Sequence, residues 1–281
     1  MSPGSKAAGQ AESIPLSNQV QMPLVGLGTW DLRGDVCVRT VAAAIQMGYR
    51  LIDTAQMYGN EEAVGLGIAQ SGTPRDQLFV TTKLYRVSNS YEKARLAIDQ
   101  SLARLGTDYV DLLLLHEPYP QGPEMYRALE QALVAGKARA IGVSNYDPRW
   151  YETFLGQCQV VPAVNQLEVH VLFQKWHFQA QMAAHGTALQ AWAPLAQGLA
   201  GVASHPVLAA IGQGYGKTAA QVALRFLVQR GISVIPKSQR PERLAENLAL
   251  FDFALTDQEM ARIPPWTGTT PSSPGRKHFS P

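Results

Sequence analysis

The chain has 281 residues, 46% hydrophobic and 16% charged, with 24 Gly and 18 Pro spread along it; an apolar content this high excludes a disordered chain. The 24 Lys and Arg against 22 Asp and Glu leave a net charge of +2 without a long basic block or acidic tail, which argues against nucleic acid and membrane surfaces as partners. No run of about 18 apolar residues occurs, so a transmembrane helix is excluded, and two cysteines are too few for a disulfide framework.

Residues 1–12 are small and polar and lack the apolar centre of a secretory signal, so they read as a disordered tail. With no signal and two cysteines, the expected location is the reducing cytoplasm, with Cys37 and Cys158 as inert packing residues. Ile14 to Pro23 carries Asn18 between short apolar stretches and predicts a small hairpin. Strand-length apolar segments then recur at Leu24 to Gly26, Arg50 to Asp53, Leu78 to Lys83, Tyr109 to Leu115, Ala138 to Val143, Ala163 to Gln166, Ala188 to Trp192 and Ile232 to Ile235. The four leucines after Asp111 predict a strand buried on both faces.

Helices lie between these strands. Asn60 stands where an N-cap belongs, ahead of Glu61 and Glu62. Ser90 caps a helix over Tyr91 to Arg104, with Gly106 just past its end. Thr218 with Gln221, and Thr256 with Glu259, are capping-box pairs. Pro241 suits a first turn, and Pro264–Pro265 stop the last helix. Strands in alternation with helices or long loops require a parallel sheet, and eight such units favour a closed (β/α)8 TIM barrel. No linker divides the chain, so one α/β domain is expected over 13–265. Residues 266–281, rich in Pro, Ser, Thr and Gly, form either a disordered tail or a flap over the barrel mouth.

Polar residues gather at the strand ends, where a barrel does its chemistry. The second strand ends at Asp53 with Tyr58 a short turn later, the third at Lys83, and the fourth at His116. Each has an ordinary structural reading alone; together they face one another at one rim. The combination suits carbonyl reduction. A phenol is a poor acid at neutral pH, and a neighbouring ammonium, held by a carboxylate, strengthens it. On this reading Asp53 holds Lys83, Tyr58 delivers the proton, and His116 orients the substrate oxygen as it gains charge.

The motifs Gly26-Leu-Gly-Thr-Trp30, Gly48-Tyr-Arg-Leu-Ile-Asp-Thr-Ala55, Tyr58-Gly-Asn-Glu61, Thr82-Lys-Leu84, Gly142-Val-Ser-Asn145 and Ile235-Pro-Lys-Ser238 make the chain resemble the aldo-keto reductases from about Ile14 to Ile263. Its likeness runs to the bacterial 2,5-diketo-gluconate reductase and prostaglandin F synthase-like branch. The family tetrad maps onto Asp53, Tyr58, Lys83 and His116. The resemblance implies NADPH-dependent reduction of aldehydes and ketones, without metal, by a monomer acting on a small carbonyl substrate.

Cofactor residues follow from the same comparison. No GxGxxG motif follows a strand, so a Rossmann site is unsupported. Gly212 to Thr218 mimics a phosphate loop but is one residue short and has no strand before it; Thr218 reads as a helix cap and Lys217 as solvated. A better anion site is Lys237-Ser238-Gln239-Arg240 with Arg243, two or three cations and a hydroxyl at a helix start. It resembles a clamp for the adenosine 2′-phosphate, with Asn247 near the adenine, which implies NADP over NAD. By resemblance, Ser144, Asn145 and Gln166 meet the nicotinamide carboxamide, and Trp192 stacks on its ring. Leu195, Gln197 and Gly198 cover the pyrophosphate; Gly28, Thr29, Trp30 and Asp53 are assigned to the same cofactor set.

Trp30, Tyr58 and His116 are the expected substrate wall. Two positions depart from the family pattern: Tyr85 and Glu117 stand where Trp is frequent. Glu117 adds polarity and, if it faces inward, disfavours carboxylate substrates, so small dicarbonyls and neutral aldehydes are the expected substrates. Two alternatives share these residues: a Schiff-base aldolase using Lys83 as nucleophile, and a non-catalytic NADPH-binding module.

Overall fold

The computed structural model describes residues 12–198 and 201–263. A hairpin of β1 (Ser13–Pro15) and β2 (Gln21–Pro23) precedes eight parallel strands. These are β3 (Gly26–Gly28), β4 (Leu51–Asp53), β5 (Phe79–Leu84), β6 (Val110–Leu115), β7 (Ala138–Ser144), β8 (Val164–Glu168), β9 (Ala188–Trp192) and β10 (Ser233–Val234). They pair in chain order, and the ring closes where Val25 bridges Val234 and the Gly28 N–H donates to the Pro236 carbonyl at 3.3 Å. This is the expected (β/α)8 barrel.

Around it run α1 (Gly34–Gln46), α2 (Glu61–Ser71), α3 (Tyr91–Leu105), α4 (Gly122–Val134), α5 (Pro148–Leu155), α6 (Trp176–Ala184), α7 (Pro206–Gln213), α8 (Ala219–Gln229), α9 (Pro241–Leu248) and α10 (Asp257–Arg262). Among the described residues no helix is long and apolar enough to cross a membrane.

The two-residue period of a strand sorts the core into two parts. Leu51, Phe79, Leu112, Leu114, Ala140, Val164 and Ile235 face the barrel axis and pack together. Their neighbours Ile52, Val80, Leu113, Leu115, Ile141 and Leu167 face outward to the helices. Leu16 and Met22 of the hairpin belong to the axial cluster, so the hairpin plugs the N-terminal end of the barrel. Parity then aims the rim residues inward. Asp53 lies two residues beyond Leu51, Lys83 four beyond Phe79, His116 two beyond Leu114 and Gln166 two beyond Val164.

Several local expectations hold. The Ser90 hydroxyl accepts from Lys93 N, Gly106 ends α3 at φ 66°, and both capping boxes at Thr218 and Thr256 form. Others need correction. The first barrel strand is Gly26–Gly28 rather than Leu24 to Gly26, and the last is only Ser233–Val234. Asn60 precedes α2, yet its side chain does not cap it. It is buried, accepts from Thr54 Oγ1 at 2.7 Å and donates to the Thr29 and Leu32 carbonyls at 2.9 and 3.0 Å. Satisfying three loop groups outweighs one cap bond. Lys217 is not simply solvated: its ammonium pairs with Asp252 at 2.6 Å. Pro264–Pro265 and the tails 1–12 and 266–281 lie outside the described residues, apart from Glu12, whose carbonyl accepts from Leu24 N at 2.8 Å.

Candidate active site

Four strands deliver the inner site. Lys83 Nζ lies 2.6 Å from Asp53 Oδ1, 3.0 Å from the Thr54 carbonyl and 3.2 Å from Tyr58 Oη, so its three donors are all used. Lys83 and Asp53 are 0% and 1% exposed, which makes this a buried ion pair whose charges survive only if fully hydrogen-bonded. The other Asp53 oxygen, Oδ2, accepts from Gln166 Nε2 at 2.7 Å. Burial pushes the Asp53 carboxyl up, against the Lys83 charge and the hydrogen bonds from Lys83 and Gln166. Burial also pulls the Lys83 ammonium down, but Asp53 and Tyr58 outweigh it and hold Lys83 above its ordinary value. An ammonium held in this way is not a free amine nucleophile, which argues against the aldolase alternative.

Tyr58 sits in a short 3-10 turn, Gln56–Tyr58, that ends at Gly59 with φ 62°. The turn brings its ring edge-on to Trp30, centroids 5.0 Å apart, and to His116 at 5.6 Å. Tyr85 joins from beyond β5, its ring 6.4 Å from His116. Asp53, Tyr58, Lys83 and His116 thus meet at one rim, with Trp30 half-exposed above them.

Beside them opens a cleft of about 850 Å³, lined among others by Trp30, Trp192, Leu195, Gln197, Gly198, Lys237, Ser238, Arg243 and Asn247. Its volume is within the range of cofactor sites. Ala193, Ala196 and Gln197 take φ of 48°, 52° and 53° in the loop after β9. Three non-glycine residues in left-handed backbone over a cleft mark a segment shaped for something other than stability. At the far end Lys237 and Arg243 are exposed and pair with no carboxylate among the described residues, while Ser238 Oγ accepts from Arg240 N at 3.1 Å. Two unneutralised cations beside the first turn of α9 are a charge arrangement suited to a phosphate.

Comparison with known proteins then decides the family. The model for the aldo/keto reductase family matches residues 24–264. The chain belongs to the aldo/keto reductases. It is 43% identical to morphine 6-dehydrogenase of Pseudomonas putida over 270 residues, 91% of each chain. The crystal structure of an aldo/keto reductase from Brucella melitensis superposes with a TM-score of 0.86 at 38% identity, covering 90% of this chain and 98% of that one. An aldo-keto reductase of Bombyx mori, solved in complex with NADP, gives 0.84 at 34% identity over 91% and 92%. The lining of the cleft, which combines the Trp192 indole with the cations Lys237 and Arg243, suits a group that carries both a flat ring and a phosphate.

The remaining expected residues of this aldo-keto reductase have definite places. Ser144 Oγ donates to the Gln166 carbonyl at 2.9 Å, and Asn145, at φ 65°, donates to the His116 carbonyl at 3.0 Å and to Ser144 Oγ at 3.1 Å. Trp192 Nε1 donates to Asn145 Oδ1 at 2.9 Å, which fixes the indole at the cleft wall. Thr29 is fully buried and binds the Asp53 carbonyl through Oγ1 at 2.9 Å, so it supports the loop. Gly28 permits close packing: a Cβ there would stand 2.7 Å from the Ile235 carbonyl oxygen. Glu117 lies near Tyr119 and Tyr146, where its charge adds to burial in pushing both phenols up.

Two further buried polar residues bond to this set and were not picked out from the sequence. Gln190 and Ser233 bond within the barrel beneath Gln166. Each is a lone polar residue in an apolar strand, a signal that becomes readable only once the pairing of the strands is known.

Proposed function

We propose that this reductase converts small neutral aldehydes and dicarbonyls to alcohols, with Tyr58 as general acid. Bound in the cleft, NADPH supplies the hydride to the carbonyl carbon. What the chain itself contributes is acidity and placement. The observation that carries this reading is the 3.2 Å contact between Lys83 Nζ and Tyr58 Oη, with the ammonium anchored by Asp53 at 2.6 Å. A fixed positive charge at that distance favours phenolate, so the phenol gives up its proton more readily. His116 stands across the Tyr58 ring, so a carbonyl oxygen placed between them meets a donor from each side as negative charge develops.

Lys237, Ser238 and Arg243 hold the 2′-phosphate on this reading, with Asn247 beside them. Ser144, Asn145, Gln166 and Trp192 position the nicotinamide, and Leu195, Gln197 and Gly198 close over the pyrophosphate. Trp30, Tyr85 and His116 form an aromatic substrate wall. On this reading the Glu117 charge disfavours carboxylate substrates by like-charge repulsion; comparable efficiency on a 2-keto acid and its neutral analogue, before and after Glu117→Gln, would remove that part.

The test is cofactor oxidation with methylglyoxal or a nitrobenzaldehyde. Tyr58→Phe is expected to bind NADPH like the native enzyme and to lose about 10²- to 10⁴-fold in turnover, the usual share of a general acid. A near-native rate in that variant would end the proposal.

A further inference from the structure

Beneath the Asp53–Lys83–Tyr58 set, a second line of polar side chains crosses the barrel, and proton delivery alone does not require it. Strand register sets Gln166 opposite Gln190 and Gln190 opposite Ser233. All three face the axis and are essentially inaccessible to water, at 1%, 0% and 0% exposure. Polar groups there are costly unless paired. They are paired, and in a definite direction.

The Pro23 carbonyl can only accept, and Ser233 Oγ donates to it at 2.9 Å. Ser233 Oγ therefore has lone pairs left, and Gln190 Nε2 donates to it at 3.2 Å. That turns Gln190 Oε1 toward β8, where it accepts from Gln166 Nε2 at 2.7 Å. The second hydrogen of the same Gln166 amide goes to Asp53 Oδ2 at 2.7 Å. The sense of every bond follows from the carbonyl at the far end.

We propose that Gln190, anchored by Ser233, is a positioning residue for the reaction: it holds Gln166 so that the Gln166 amide donates to Asp53. The inference rests on Tyr58 being the proton donor. Asp53 is then gripped at both oxygens, by Lys83 from β5 and by Gln166 from across the barrel, and stays ionised. Among the charged and titratable groups around Tyr58, Lys83 touches its hydroxyl, His116 stands edge-on to its ring, Arg33 donates to its carbonyl, and Asp53 acts through Lys83. Without an acceptor at position 190 the Gln166 amide is free to turn, Asp53 loses a donor and moves toward protonation. The proton comes from Lys83 across their 2.6 Å hydrogen bond, so the positive charge beside the phenol is lost and the phenol becomes a weaker acid. Reduction needs the phenol protonated, so activity is present below its pKa and lost above it; raising that pKa moves the high-pH limb upward while the plateau falls.

The experiment compares Gln190→Met, which keeps length and removes both polar groups, with Ser233→Ala, which removes only the anchor. In Gln190→Met, kcat on a neutral aldehyde is expected to fall about tenfold, the equivalent of one pKa unit. The high-pH limb of kcat/KM should move up, and the KM for NADPH, which reads the hold of Gln166 on the nicotinamide, should change less than kcat. Ser233→Ala should move both readings the same way by less, and it alone decides if Gln190→Met does not fold. A native plateau and limb would overturn the proposal. So would a lower kcat with an unmoved limb, which a merely structural residue produces. Turnover surviving in Tyr58→Phe would instead strike the proton-donor reading itself.

Discussion

A single ammonium, at Lys83, does several jobs with no solvent to help it. Its three donors are divided among a carboxylate, a backbone carbonyl and a phenol, so its position is over-determined and its charge is held where the proposed chemistry uses it. At the other end of the cleft the logic is reversed: Lys237 and Arg243 are exposed and carry no carboxylate partner among the described residues. Cations left unpaired beside a helix start are a cost that a phosphate would offset. Lys237→Ala combined with Arg243→Ala is therefore expected to raise the KM for NADPH far more than that for NADH, measured by initial rates with each; equal effects on the two would remove these residues from the 2′-phosphate. Legibility also divides at this scale. Asp53, Tyr58, Lys83 and His116 were readable because reactive types ended successive apolar runs. Asn60 was misread because a sequence shows a cap position but not that three loop groups compete for the same side chain. Gln190 escaped notice because a lone glutamine in a strand carries no chemistry until its parity partner across the ladder is known.

At the level of elements, β5 and β6 carry most of the legible information. Both are buried along their whole length, and a continuous apolar run announces that without stating which side chains face the axis. Their inward and outward sets separate only when a second anchor, such as Phe79 in the axial cluster, fixes the parity. Short strands were harder: β3 and β10 were displaced or overextended because two or three residues give no period to measure. Helix packing was not legible at all. Gly65 in α2 lies so close to the end of α3 that a Cβ would stand 2.5 Å from the Leu105 carbonyl oxygen. Gly65→Ala raises helix propensity but forces backbone apart, so the overpacking term wins. A loss of about 1–3 kcal/mol is expected from denaturant unfolding, against a gain if propensity decided.

For the molecule as a whole, the two ends of the barrel have opposite characters. One rim carries the polar groups and the cleft; the other is plugged by the hairpin, whose Leu16 and Met22 sit among the axial residues. Met22 is 0% exposed, and its sulfur also lies 3.6 Å from Gln190 Nε2. Met22→Ala should therefore lower stability by about 2–5 kcal/mol, the cost of an unfilled core position, read from the midpoint of denaturant unfolding. An unchanged midpoint would mean that the hairpin is an ornament rather than a stopper. Among the described residues, that plug stands between the buried pair of charges and the solvent below. On the proposed chemistry, the hydrogen that replenishes the spent phenol after each turnover must come down through the open rim, along the route by which the alcohol leaves.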